Sequence, residues 1–455
     1  MKVLLIIYDN GSYISWFPQG LAYLAAVLEE NGHDVVIYNQ DVHHYPPEHL
    51  TDHLERNYYD IVGASFIGGY YQYQKLKEVS SAVNTASTRG QFKYILGGHM
   101  VAPDPKYFLG LTNADCLFVG EGENAILEYI KCLQNADGVK EAVLPAVMKM
   151  PEIKDMDSIP MPAYHLFPMD HYRLLRMAHC ESTDFVMRIL SGRGCPFKCN
   201  FCYRRMKGFR PHSHEYITTE MQHLHDFYGI NYFSFSDELL MSSEARTKSL
   251  CHAFLNLPFK FKWDCNGRLN YATPEVLGLM KQSGCVFINY GIEAMDDQVL
   301  KNMDKHLTVE QITVGIENTL AADLSPGFNI IWGNIGDNLE TLQKGVDFLL
   351  KHDDGSQMRT IRPVTAYPGT PLFDEAVKRG LVKDVEDFYE RVHVNSDLVS
   401  TNFTDLSDKE FHEALFLANT KLMENYHENK LVKMIDQAGL LYLDEDPEFR
   451  GWRQS

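Results

Sequence analysis

Apolar runs of three to five residues recur along the first third of the chain, and segments with helical spacing separate them. Val3-Leu4-Leu5-Ile6-Ile7, Val35-Val36-Ile37-Tyr38, Ile61-Val62-Gly63-Ala64-Ser65, Tyr94-Ile95-Leu96 and Cys116-Leu117-Phe118-Val119 predict strands buried on both faces. Between the first two, Leu21, Leu24, Ala25 and Leu28 share one helical stripe that closes at Asn31-Gly32. This alternation predicts a doubly wound parallel sheet over residues 1–145. Ligands of such sheets sit beyond the carboxyl ends of the strands, which directs attention to loops 8–18, 39–48, 65–73, 97–104 and 120–124.

Five prolines between Pro145 and Pro168 interrupt the pattern and predict an extended connector, 146–185. A second alternating series then begins. Strands are expected at 187–193, 231–236, 260–266, 286–292, 327–333 and 358–366, with helices at 214–228, 243–256, 273–282, 308–322 and 338–351. Six β/α units in series predict a second parallel sheet over 186–385, curved into a full or partial barrel whose chemistry lies at the strand carboxyl ends. In the last region, 386–455, residues 408–439 read as helix, with Phe411, Leu415, Ala418, Leu422 and Met423 at core spacing, and a polar tail follows.

Charge narrows the partners. With 42 basic and 61 acidic residues the net charge is −19, a field that repels phosphate backbones and anionic lipid heads. The apolar start at Met1 to Ile7 is too short for a signal-peptide core, and no stretch reaches the length of a membrane span, so a cytoplasmic location is expected. In that reducing compartment nine cysteines are not a disulfide framework, and a cluster of them points to metal or redox chemistry.

Cys195, Cys199 and Cys202 form such a cluster, C-x-x-x-C-x-x-C, in the loop that leaves the first strand of the second series. Three thiolates on one loop suit a [4Fe–4S] cluster with one iron left open. A zinc site completed by a distant histidine, or three packed free thiols, are the alternatives.

Position and spacing together resemble the radical S-adenosylmethionine (SAM) superfamily. The flanks Gly192-Arg193-Gly194 and Pro196-Phe197-Lys198 are similar to its cobalamin-binding-domain subfamily. So are Pro18 to Leu24, Gly97-Gly98-His99, Val119 to Glu123, Asn266-Gly267-Arg268, Gly291-Ile292-Glu293, Leu300 to Thr308, Gly333 to Asp337 and Tyr367 to Thr370. The resemblance spans about 1–385. It implies a Rossmann-like cobalamin-binding domain, a six-unit partial (β/α) barrel holding the cluster, and a C-terminal helical region. It also implies reductive cleavage of SAM to a 5′-deoxyadenosyl radical, with an electron donor such as a flavodoxin or ferredoxin. By family position Glu293 meets the ribose hydroxyls, Arg268 and Asn329 the methionine part, and Ser236, Asp237 and Glu238 the ammonium; Tyr203 lies beside the cluster or adenine.

For the corrinoid, Gly68-Gly69 and Gly97-Gly98 allow close approach of backbone to ring, and Ser65 is placed to bond the nucleotide tail. Gly120, Glu121 and Gly122 supply backbone donors at a helix start. The axial-histidine signature D-x-H-x-x-G is not met: Asp41-Val42-His43 begins it, but His44-Tyr45-Pro46 follows. The lower face is then expected over Phe66, Ile67, Tyr70 and Tyr71. His43, His44, His49 and His53 read as a solvated loop rather than a metal site. Arg204, Arg205, Lys207 and Arg210 form a local basic patch, either solvated or a docking face for an acidic donor or an anionic substrate.

These features point to a cobalamin-dependent methyltransferase acting on an unactivated carbon of a substrate of unknown class. A radical ring closure, ring contraction or other rearrangement without net methylation is the first alternative, and a non-catalytic sensor the second. No nucleic-acid motif supports the sensor.

Overall fold

The computed structural model describes all residues except 12–15, 137–143, 178, 204, 205, 207, 396 and 444–455. Strands β1 (Lys2–Ile7), β2 (Asp34–Asn39), β3 (Ile61–Ser65), β4 (Lys93–Gly97), β5 (Cys116–Phe118) and β6 (Val147–Met148) form one parallel sheet in the order β2-β1-β3-β4-β5-β6. The five expected strands are present, and the sixth comes from the proline-rich connector. Chain order reverses between β1 and β3, which opens a crevice at their carboxyl ends.

The second sheet takes β7 (Val186–Ile189), then, after a small antiparallel pair β8 (Gly192–Arg193) and β9 (Arg210–Pro211), β10 (Tyr232–Phe235), β11 (Lys262–Gly267), β12 (Cys285–Glu293), β13 (Ser325–Trp332) and β14 (Ile361–Pro363). Its order, β14-β13-β12-β11-β10-β7, is sequential and all parallel, and it stays open between β14 and β7. The expected helices are found within a residue or two, as at His214–Tyr228, Pro274–Gln282 and Val309–Ala321.

Two strands depart from expectation, the expected 358–366 being shortened to Ile361–Pro363. The run 187–193 does not continue in the sheet. It leaves after Ile189, and Gly192 turns to pair with Pro211. A Cβ on Gly192 would stand 2.7 Å from the Arg210 carbonyl oxygen, so this close crossing needs glycine.

The segment after β14 folds back onto the first domain. Leu372, Phe373, Ala376, Val385, Phe388 and Tyr389 are buried in its core, with Tyr389 stacked on Tyr73 at 4.8 Å. The last helix, Asp408–Tyr442, starts at a Ser407–Glu410 capping box. Phe411, Leu415, Ala418 and Leu422 dock on the barrel core, and Phe411 stacks on Trp332 at 4.2 Å. Met423, expected with them, is exposed because the stripe turns away from the core after Leu422. Asn419 both donates to and accepts from the Ile361 backbone, covering the open edge at β14. No helix among the described residues is long and apolar enough to cross a membrane.

Candidate functional site

The three cysteines follow β8 in one loop that is held at several points. The Gly194 N–H donates to Glu238 Oε2 at 3.0 Å. The Asn200 N–H donates to the Met303 carbonyl at 2.9 Å, its side-chain amide to the Asn302 carbonyl, and its own carbonyl accepts from Leu372 N–H. Arg268 lies over the Phe197 ring at 3.5 Å and donates to the Lys305 and His306 carbonyls.

Burial raises all three thiols, Cys202 to about 11, and Cys199 and Cys202 are raised further by the other thiols of the set. Lys305 pulls all three down, and Arg268 acts in the same direction on Cys195 and Cys199. Mutually repelling thiols under two cations suit an anionic thiolate cluster. Among the described residues no group of His, Cys, Asp or Glu is gathered as a single-ion site. Three thiols on one loop, Cys195, Cys199 and Cys202, fit an iron–sulfur cluster with one iron left open.

Glu293 ends β12 with φ 69°, a left-handed conformation that costs a non-glycine residue energy, at the point where the β12–β13 register shifts. Its Oε1 accepts from Lys305 Nζ at 2.8 Å in a buried pair. A Cβ on Gly291 would lie 2.2 Å from that oxygen, so the glycine makes room for the pair. Lys305 was not singled out from sequence; its one signal is its place within Leu300 to Thr308.

Ser236 donates to Gln19 Oε1 of the first domain at 3.0 Å. Asn329 donates to Asn289 Oδ1 and the Tyr290 carbonyl, one strand away from Glu293. The Tyr203 ring is 5.2 Å from His99, and Gly369 packs against it.

A cavity of about 460 Å³ runs from the crevice of the first sheet to the barrel mouth. Ser65, Ile67, Gly97, Gly98, Gly120, Glu121 and Gly122 line it on one side, and Arg188, Ser236 and Glu238 on the other. It continues as a slot among Leu5, Leu24, Ile95, Phe118 and Ile126, floored by Gly63. A Cβ on Gly63 would meet Ile95 at 3.1 Å, and one on Gly122 would meet Leu24 at 3.0 Å. An apolar slot kept open by glycine, with a wider mouth facing another domain, fits a corrinoid whose nucleotide tail is threaded into the sheet.

Five residues expected at the corrinoid do not line this cavity: Phe66, Gly68, Gly69, Tyr70 and Tyr71, whose hydroxyl donates to the Asp9 carbonyl. Phe66 is in the core, stacked on Tyr8 at 4.8 Å. Gly68 faces Tyr367 and Tyr389, and Tyr70 begins the helix Tyr70–Thr85. Glu121 lines the cavity, but its carboxylate also takes hydrogen bonds from Arg193, Arg210 and the Ile153 N–H. Arg210 thus belongs to a buried pair rather than a docking patch, while Arg204, Arg205 and Lys207 lie outside the described residues. His49 and His53 each bond a tyrosine hydroxyl, Tyr38 and Tyr59, and form an aromatic stack.

The model of the radical SAM superfamily matches residues 189–349, and that of the B12 binding domain matches 12–130. The chain belongs to the radical SAM superfamily. Its radical SAM domain carries a [4Fe–4S] cluster and SAM, and the domain before it binds B12. This radical SAM enzyme is 26% identical over 407 residues to an uncharacterised methyltransferase of Pyrococcus horikoshii, covering 84% of each chain. It is 22% identical to the anaerobic magnesium-protoporphyrin IX monomethyl ester cyclase of Rubrivivax gelatinosus, over 85% of this chain and 72% of the cyclase. Its fold matches that of a radical SAM methyltransferase from Kitasatospora setae solved with cobalamin and a [4Fe–4S] cluster. The TM-score is 0.64 at 15% identity, covering 83% of this chain and 75% of that one.

Proposed function

We propose that this cobalamin-dependent radical SAM enzyme is a methyltransferase acting on an unactivated carbon. The observation that carries the reading is one continuous cavity lined from the carboxyl ends of both sheets, so that a corrinoid held in the first sheet's slot would face the barrel mouth. Bound together, the three cofactors supply a hydrogen-abstracting radical and a transferable methyl group. Cys195, Cys199 and Cys202 hold the cluster. Arg268 and Lys305, whose charges act on the thiols, would meet the SAM carboxylate, and Glu293, paired with Lys305, would accept from the SAM ribose. Glu238 fixes the cluster loop through Gly194 N–H, and Ser236 ties the barrel mouth to Gln19. Ser65 and the glycines of the slot hold the nucleotide tail and exclude water from it.

The test is turnover under anaerobic reducing conditions with product masses followed. Methyl transfer requires S-adenosylhomocysteine, 5′-deoxyadenosine and a product one methylene heavier. Substrate-dependent 5′-deoxyadenosine without added mass rejects it. That outcome would favour a rearrangement, a reading supported by the likeness to the cyclase from R. gelatinosus.

A further inference from the structure

Alternation along the barrel strands sorts inward from outward side chains. Met187 and Ile189, Phe233 and Phe235, Trp263 and Cys265, Ile288 and Tyr290, and Phe328 and Ile330 are buried in the core with the helices. Arg188, Ser234, Asp264, Asn266, Asn289 and Asn329 therefore face the lumen. That lining is polar. Ser234 donates to Asp264 at 2.9 Å. An amide ladder crosses three strands, from Asn329 to Asn289 (2.7 Å), Asn289 to Asn266 (2.9 Å), and Asn266 to the Asp237 carbonyl (2.7 Å).

One cation in this lining differs from the rest. Arg193, Arg210, Arg246, Arg268 and Arg359 each donate to a carboxylate, hydroxyl or carbonyl. The Arg188 side chain makes no hydrogen bond or ion pair among the described residues, and its Nε is buried without a partner. Trp16 covers the guanidinium at 3.9 Å, and Asp264 acts on it only through space. The cavity opens beside both Arg188 and Trp16. A half-buried guanidinium has lost water and gained no acceptor, a costly state that a two-oxygen anion relieves with paired hydrogen bonds. SAM's own carboxylate would have other cations to meet, Arg268 and Lys305, whose charges act on the cluster thiols. The corrinoid tail slot opens on the opposite side, within the first domain.

We propose that Arg188 binds a carboxylate or phosphate group of the substrate, so that the substrate is a small polar anion rather than an uncharged lipid. The assignment rests on the barrel lumen as the reaction space, and it holds for methyl transfer and rearrangement alike.

The experiment is calorimetric titration of the SAM-saturated, anaerobically reconstituted holoenzyme with sodium phosphate and with sodium acetate at constant ionic strength. Wild type, Arg188→Gln and Arg188→Lys are compared. Binding of at least one anion is expected in the wild type, weakened about tenfold or more in Arg188→Gln and less in Arg188→Lys. Iron, corrinoid content and SAM affinity are expected to be the same in all three. Equal anion binding with and without Arg188, or none in the wild type, overturns the proposal. A loss of SAM affinity or of corrinoid in Arg188→Gln also overturns it, by assigning the residue to a cofactor. Failure of the radical SAM reading is separable, because wild-type protein would then lack iron or fail to cleave SAM before any titration.

Discussion

The two parallel sheets turn their carboxyl ends toward one cavity and prepare those ends by opposite means. At the first sheet the design lies in side chains that are missing: Gly63, Gly97, Gly98, Gly120 and Gly122 leave a slot between apolar walls. At the second it lies in charge: Arg188 and Glu238 line the cavity, and Arg268, Glu293 and Lys305 act on the cluster thiols. A steric site is broken by adding a methyl group, whereas an electrostatic site is broken by removing a charge or a ligand. The two ends should therefore fail independently.

The largest effect is expected at the thiols. Cys199→Ala should remove the cluster and lower 5′-deoxyadenosine formation on the order of 10³-fold, with corrinoid still retained by the first domain. Iron, sulfide and corrinoid assays on the same preparation check both halves. The reciprocal experiment is Gly63→Val, whose branched side chain enters the slot against Ile95 and Leu5. Corrinoid content should fall about tenfold while iron stays unchanged, at a stability cost of about 1–3 kcal/mol from overpacking. Joint loss of both cofactors in either variant would break the comparison.

The same contrast explains what was legible in the sequence. Buried parallel strands are near-continuous apolar runs, so both sheets could be read, as could the helices between them. The cysteine loop pointed to metal or redox chemistry through its spacing and position, and the family resemblance supplied the rest. Phe66, Gly68 and Tyr70 were expected at the corrinoid from their place after β3, but the chain turns there to pack Phe66 on Tyr8. No local pattern carries that turn. Long-range pairs were equally silent: Lys305 with Glu293 and Arg210 with Glu121 join residues whose separation in sequence says nothing of their distance. The solitary Arg188 looked like any charged residue in a strand.

A clamp holds the two ends in register. Arg193, two residues before Cys195, bonds Glu121 at 3.0 Å and Glu123 at 2.6 Å across the domain boundary, and all three side chains are buried. Arg193→Met should leave Glu123 without its partner and cost about 3–5 kcal/mol. Denaturant unfolding reads the loss, and faster proteolysis within 146–185 would show the domains parting. Adding Glu123→Leu should recover part of it, because the uncompensated charge goes too. Equal stability of Arg193→Met and wild type would mean that apolar packing alone aligns the two sheets.

The smallest effect concerns a proton kept at the same junction. Glu220 on the barrel helix His214–Tyr228 is fully buried and accepts from Tyr164 of the connector at 2.5 Å, and Tyr23 of the first domain lies in its field. Burial pushes its carboxyl up to about 7, with Asp237 adding to the rise and the Tyr164 bond opposing it. Between the unfolded value of 4.5 and this one, the folded chain keeps a proton that the unfolded chain has released. Stability from this group is therefore full below pH 4.5, falls as pH rises, and is gone above 7, a change on the order of 3 kcal/mol. Glu220→Gln fixes the neutral form and should flatten, by a few degrees, the fall of Tm between pH 5 and 7.5. Asp237 and Asp264, both raised to about 6, keep part of the slope in the variant. Parallel Tm curves for variant and wild type would show that Glu220 does not titrate there. A flattened curve would show that the first domain, connector and barrel share a neutral carboxyl at their meeting point. In that case the junction, unlike either sheet end, is held by suppressing a charge.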